Sequence, residues 1–333
     1  MSKLKITFAG GEYEHLRALA DGDVKPEGID LNYITLKQGA EVNFRTLRNR
    51  EFDASELSMG SYVRSLFEEN PPFVAIPVFP FRMFRHSCIF VNSKSGIKTP
   101  KDLISKRVGN PRFQQTTVIW IRGILADRCE LPVSSVSYYQ GGEEEPGRWE
   151  GLPLDLSKRG IKLQSAKGSL SSMLEKGEIE AIYSSRIPSS FDDPSKGIKR
   201  MFPDYVNEEK KYFKETGVYP LMHTVVIRRE IYKENPWVAM SLYKALLESK
   251  KKAYDDYYSV KGLPGSKFNL PWISTYIESI RDLMGWDFAP YGLEPNRIAL
   301  ETFLRYCYEQ GIAARLLKAE EIFAAETLEQ FKV

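Results

Sequence analysis

An α/β fold of two lobes, each a mainly parallel sheet flanked by helices, is predicted by three observations. Strand-like and helix-like segments alternate from Leu4 to Ser185. Two strand-like segments open with the same signature, a histidine followed by a small polar residue: HSCIFV from His86 and HTVVIR from His223. From Tyr219 onward the chain turns mostly helical. The alternation gives right-handed βαβ units, and the paired signatures read as one strand leaving the first lobe and one returning, a paired hinge.

In order, LKITFAG (Leu4 to Gly10) reads as a buried strand and GEYEHLRALADG as a short helix. IDLNYITL reads as the second strand, followed by the helix GAEVNFRTLRNRE with Val42, Phe44 and Leu47 near helical spacing. FDASELS and FVAIPVF are strands around the helical SYVRSLFEEN. A second set of units begins after Asn92. Thr99-Pro100 opens a short helix, RVGNP is a strand, and TTVIWIRGILADRC is a helix with Val118, Ile121 and Leu125 on one face. VSYYQGG and IEAIYSS are strands around the helix LSSMLEKG. The polar interval from Ser189 to Gly217 has no period and predicts little regular structure. Asn235-Pro236 starts a long helix burying Val238, Leu242, Leu246 and Ala253, and two more helices follow Pro271 and Ile298, the last stopped by Gly311.

These assignments place residues 1–88 and 222–333 in the first lobe and 89–221 in the second, with crossings near 84–92 and 218–228. Two lobes joined by two crossings describe the bilobal periplasmic-binding-protein architecture, and ligand is expected to close it by hinge motion.

Composition narrows the function. The 333 residues carry 42% apolar and 27% charged side chains, and 47 basic against 44 acidic residues leave a net charge of +3. That field is too weak to suggest a nucleic-acid or membrane partner, and no apolar run approaches the roughly 18 residues of a membrane span. The start MSKLKITFAGG has no secretory pattern, so a cytoplasmic location is expected. Cys88, Cys129 and Cys307 are too scattered for a disulfide framework, and His15, His86 and His223 too dispersed for a preassembled metal site.

Charge concentrates in PVFPFRMFRHSCIFV (Pro77 to Val91), where Arg82, Arg85 and His86 lie between apolar runs. Guanidiniums there suit a small carboxylate ligand; the plainer alternative is an interdomain ion pair. In open parallel sheets, ligands bind beyond the carboxyl ends of the strands. That rule selects Gly11, Glu12 and Tyr13, then Glu56 and Ser58, then Arg82, Arg85 and His86, and in the second lobe Gln114 to Thr117 and Ser184 to Arg186. Thr116 and Thr117 open a helix, where free N–H groups favour anions. Arg122 reads as structural, Tyr138, Tyr139, Trp149, Tyr257 and Tyr258 as packing, Glu143 to Glu145 as an exposed loop, and Lys250 to Lys252 as a solvated helix face.

Nearly the whole chain resembles the 4,5-dihydroxyphthalate decarboxylases, which have a type II periplasmic-binding-protein-like fold. EFDASELSMGSY (Glu51 to Tyr62), PFVAIPVFPFRMFRHSCIFVN (Pro72 to Asn92) and KRVGNPRFQQTTVIWIRGIL (Lys106 to Leu125) carry the resemblance, with TGVYPLMHTVVIRREIY (Thr216 to Tyr232) and PYGLEPNRIALETFLRY (Pro290 to Tyr306). It implies cofactor-free loss of CO2 from an aromatic diacid, giving protocatechuate. Such chemistry needs cations for the carboxylates, an acceptor at the catechol and a proton donor over the ring carbon. Arg82, Arg85 and Arg186 are expected on the carboxylates, with Thr116, Thr117, Ser184 and Gly11 in support. Glu56 is expected at the catechol, and His86 as the ring-proton donor with His223 and His15 in reserve. A non-catalytic solute-binding protein is the alternative. A thiamine-pyrimidine synthase of this fold ranks last, since its cysteine-rich iron site is lacking here.

Overall fold

The computed structural model describes residues 3–37, 39–147, 151–258 and 263–328; Trp149 lies outside them. The first sheet opens with β1 (Leu4–Gly10), β2 (Ile29–Thr35), β3 (Ala54–Ser58) and β4 (Phe73–Ile76). The chain then crosses to a second sheet of β5 (Ile89–Asn92), β6 (Arg107–Asn110), β7 (Ser137–Gln140), β8 (Lys162–Ser165), β9 (Ala181–Tyr183) and β10 (Ile198–Arg200), and returns as β11 (His223–Arg228). The orders are β2-β1-β3-β11-β4 and β10-β5-β9-β6-β7-β8. This is the expected two-lobed α/β architecture with the return strand inserted between β3 and β4. Both sheets are mixed, because β11 runs antiparallel to β3 and β4, and β5 antiparallel to β9 and β10.

The antiparallel strands follow from the crossings. The chain leaves the first sheet at the carboxyl end of β4 and enters the second at the edge where its parallel strands end, so β5 must run the opposite way. The return obeys the same geometry, so both crossings lie along the cleft. There they pair with each other: Arg82 bridges Leu221, and Met83 N donates to Pro220 O at 3.2 Å.

The helices are α1 (Glu14–Ala20), α2 (Gly39–Phe44), α3 (Met59–Ser65), α4 (Thr116–Cys129), α5 (Leu170–Glu175), α6 (Tyr205–Thr216), α7 (Arg229–Glu234), α8 (Trp237–Tyr258), α9 (Ile273–Met284) and α10 (Arg297–Glu309). The interval from Ser189 to Gly217 is more ordered than its sequence suggests, since it holds β10 and α6. Only Tyr212 of α6 is fully buried, with Tyr205, Glu209, Phe213 and Thr216 half-buried on the same face, so its inward stripe is narrow and partly polar; the helix ends at Gly217, whose φ of 68° is the left-handed stop. The short polar strand β8 also escaped the sequence pattern.

α4 is buried on every side from Thr116 to Leu125, not on one face, the signature of a helix inside a core. Trp120 stacks on Phe303 at 5.4 Å, meets the edge of Tyr306 at 5.6 Å, and donates to Leu221 O at 2.9 Å. A Cβ at Gly123 would lie 2.2 Å from the Tyr306 ring, so only glycine lets α10 approach this closely. Truncating a buried aromatic such as Trp120 to alanine costs about 3–5 kcal/mol. α10 packs on α4 of the second lobe and also on α3 of the first. One continuous core joins the sheets, from Leu57 and Val63 through Val108 and Tyr138 to Phe303. On α8, Val238, Leu242, Leu246 and Ala253 are buried as their spacing predicts, but Lys250, expected in solvent, is turned inward. Among the described residues, no helix is long and apolar enough to cross a membrane.

Candidate active site

The carboxyl ends of β3, β6 and β9 face one another across the cleft. The amino end of antiparallel β11 joins them, because His223 registers opposite Ser58, the last residue of β3. Between them lies a cavity of about 350 Å³. Its cations are Arg85, Arg112, Arg186 and Lys37; its hydroxyls are Ser58, Thr116, Thr117 and Ser185; Phe81, Met83 and Met222 supply the apolar wall. Glu143 and His223 complete the titratable lining.

Arg85 is 2% exposed, yet its hydrogen bonds go to sulfur: Nε to Met222 Sδ at 3.0 Å, Nη1 to Met83 Sδ at 3.3 Å and to Cys88 Sγ at 3.6 Å. Sulfur is a weak acceptor, so this buried cation keeps its demand for an anion. Arg112 is also buried, whereas Arg186 and Lys37 stand at the exposed rim. Ser184 does not line the cavity. It donates to buried Glu143 at 2.5 Å and accepts from the Arg186 amide at 3.0 Å, fixing the loop after β9. Glu143 is therefore part of the wall, not of an exposed loop.

Thr116 ties the lobes together. Its hydroxyl shares a hydrogen bond with Ser58 Oγ at 2.7 Å and accepts from Gly60 N at 2.9 Å. A Cβ at Gly60 would come within 2.4 Å of Gln114 O, so glycine is required where α3 meets the loop before α4. With Thr116 so engaged, Thr117 is the freer hydroxyl at the helix start.

His223 is joined through Nδ1 to Glu56, which is 0% exposed and also accepts from Tyr13 OH and Gly11 N, both at 2.8 Å. Burial pushes the Glu56 carboxyl up, but the His223 charge and the hydrogen bonds from His223, Tyr13 and Gly11 outweigh it, leaving it below the ordinary value. Burial first, then the Glu56 charge, drives the Tyr13 phenol well above its usual range. An ionised Glu56 accepts a hydrogen bond from Nδ1–H and leaves Nε2 for a ligand.

A comparison with protein-family models finds no match. Among curated proteins, the chain is 34% identical over 335 residues to a 4,5-dihydroxyphthalate decarboxylase of Comamonas testosteroni, with all of both chains covered. The chain belongs to the 4,5-dihydroxyphthalate decarboxylase family. A second protein of that name, from Pseudomonas putida, is 36% identical over 205 residues, which are 61% of this chain and 79% of the relative. Solved structures include the periplasmic aliphatic sulphonate binding protein SsuA from Escherichia coli, with TM-score 0.49, 12% identity and coverage of 100% and 96%. The desulfurization enzyme DSZB has TM-score 0.48, 13% identity and coverage of 98% of each chain.

In this member of the decarboxylase family, the cleft does not gather every residue expected there. His86, expected as proton donor, lies in a 3₁₀ turn before β5, between Phe202 at 5.6 Å and Tyr212 at 5.5 Å. Its Nδ1 is 4.0 Å from Glu209 Oε1, and burial draws the imidazole down to about 4. The covering groups Glu209 and Tyr212 belong to α6, the helix without a sequence signal. Arg82, expected on a carboxylate in the cleft, turns the other way: Nη2 donates to Pro290 O and to Asn296 Oδ1, the latter at 2.8 Å. His15 stacks on Tyr13 at 5.4 Å and is drawn down to about 4 by burial, outside the cleft lining. Glu56, expected at the catechol, and Gly11 sit behind His223 and do not line the cavity. Lys37, Arg112 and Glu143 were missed, although each follows the end of a strand; applying the carboxyl-end rule to β2, β6 and β7 without gaps finds all three.

Proposed function

We propose that this chain removes CO2 from a hydroxylated aromatic diacid, 4,5-dihydroxyphthalate or a close analogue, in the cleft cavity. One observation carries the reading: an imidazole held by a buried carboxylate lines the same cavity as Arg85 and Lys37 of its own lobe and Arg112 and Arg186 of the other. A cavity of about 350 Å³ suits a one-ring ligand.

Arg85 and Arg112 take the carboxylates bidentately, and Lys37, Arg186 and Thr117 complete the anion contacts. The hydroxyl para to the departing carboxylate pushes electron density onto the carbon that bears it. His223, protonated on both nitrogens, hands the Nε2 proton to that carbon. The C–C bond then breaks, its electron pair restores the aromatic ring, and CO2 leaves. His223 regains a proton from water, so each turnover consumes one proton. Glu56 acts through His223 as a positioning residue, fixing the orientation of its ring.

Incubating the purified protein with 4,5-dihydroxyphthalate in D2O tests the reading. One CO2 and one protocatechuate per substrate are expected, with deuterium on the vacated carbon. Tight binding without CO2 release from this substrate and its ring-substituted analogues would point to a solute-binding protein instead.

A further inference from the structure

Phe81 also borders a second cavity, of about 170 Å³, set among the β1–α1 loop, the outgoing crossing, α8 and residues 288–291. Aromatic rings make most of its wall, and three basic side chains, Arg82, Lys250 and His15, line it; burial draws His15 down to about 4, so only Arg82 and Lys250 bring charge. Lys250 is 4% exposed and pairs with Asp287 at 2.5 Å. Its Nζ lies 4.7 Å from the Tyr254 ring centroid and 4.8 Å from that of Tyr291. Arg82 spends Nη2 on Pro290 O and Asn296 Oδ1, but its Nε has no hydrogen-bond partner among the described residues. The Tyr254 and Tyr291 hydroxyls are likewise unpartnered there, and Tyr291 is only 6% exposed.

Two features define what this cavity would hold. Arg82 and Lys250 supply two positive charges and Asp287 returns one, a surplus of one cation in an aromatic surround, which is costly to bury alone. Burial accordingly draws Lys250 down to about 8 and Arg82 to about 10. In size, an apolar cavity of about 150 Å³ accepts benzene, so 170 Å³ admits one ring with a small substituent.

We propose that this cavity is a second ligand site, selective for a single-ring aromatic monocarboxylate. The ring lies among Phe81, Tyr219 and Phe288, and the carboxylate meets Arg82 Nε and the hydroxyls of Tyr254 and Tyr291. Its occupant also touches Tyr13, which donates to Glu56 and so belongs to the chain that ends on His223. If the proposed reaction is correct, its product is of this ligand class; the binding itself does not depend on that reading.

Calorimetric titration with sodium benzoate separates the two sites. Arg85→Ala, which weakens the cleft, is expected to keep one equivalent. Adding Ala289→Phe, which fills the second cavity, should abolish it, and adding Tyr291→Phe instead should weaken it by about tenfold or more, the loss of one hydrogen bond to a charged carboxylate. Methyl benzoate, without the charge, should bind at least tenfold more weakly. No binding to Arg85→Ala, unchanged binding after both cavity substitutions, or equal affinity for the ester overturns the proposal. If Ala289→Phe does not fold, the tyrosine variant decides. A protein that fails to decarboxylate anything still gives the same titration, so the two readings fail independently.

Discussion

The outgoing and returning crossings start alike, each with a histidine, a small hydroxylated residue and an apolar strand, but their histidines meet different surroundings. His223 begins β11 directly, opposite the end of β3, where Glu56 is two residues back along a neighbouring strand and the cleft lies in front. His86 sits one short turn before β5, and α6 covers it with Tyr212 and Glu209. A similar local sequence thus gives one imidazole with a carboxylate behind and a cavity ahead, and another that fills a packed interior. What separates them is a residue's position relative to the sheet edge and which helix returns over it.

The sharpest way to break this comparison is to exchange the histidines' fates. His223→Gln is expected to lower kcat by about 10²- to 10⁴-fold, the scale of general acid–base catalysis, with substrate Kd nearly unchanged; normal turnover would remove His223 from the mechanism. Arg85→Ala should weaken substrate binding by roughly 1.5–3 kcal/mol, the worth of a charge-assisted hydrogen bond, measured as Kd by titration. Glu56→Gln should lower kcat by roughly tenfold while leaving KM close to wild type, since it acts through the imidazole.

On the packed side, Glu209 is pushed up to about 7 by burial. The folded state then holds that proton more tightly than the unfolded chain, so the contribution is fully present below about 4.5 and is lost as pH rises through about 7. Glu209→Gln should therefore raise Tm relative to wild type at pH 8 and match it at pH 4.5; an equal gain at both would show that charge at Glu209 is irrelevant. The smallest effect is expected from His86→Gln, with kcat within threefold of wild type in the CO2 assay.

Much of the fold was legible. The period-2 runs and helix stops located β1, β3, α4, α8 and α10 to within a residue or three, because burial on a regular face leaves a pattern in the chain. α6 and β8 were not legible: β8 is short and mostly exposed, and the inward face of α6 (Tyr205, Glu209, Tyr212, Phe213 and Thr216) mixes polar with apolar side chains, so it does not stand out as a hydrophobic stripe. The candidate site was legible where topology alone sets position, as for Ser58, Arg85, Thr117 and Arg186. It was not legible where direction matters. Arg82 and Arg85 are three residues apart in an irregular crossing, and nothing in PFRMFRH says that one turns toward α8 and the other into the cleft. Lys250 was misread for a related reason: its run of three lysines signals solvent, but Asp287 and two tyrosine rings draw the first of them inward.

The Thr116 hydroxyl, bonded to Ser58 and Gly60 across the floor of the cleft, carries a consequence for traffic. With its floor fastened and Trp120 bound to the returning crossing, the doorway has to be the rim, where Lys37 and Arg186 are exposed. Two exposed cations at that entrance put positive charge where an anionic ligand arrives. Added salt should slow the arrival of a dianion by screening those two side chains, and leave untouched the proton transfer proposed beneath them.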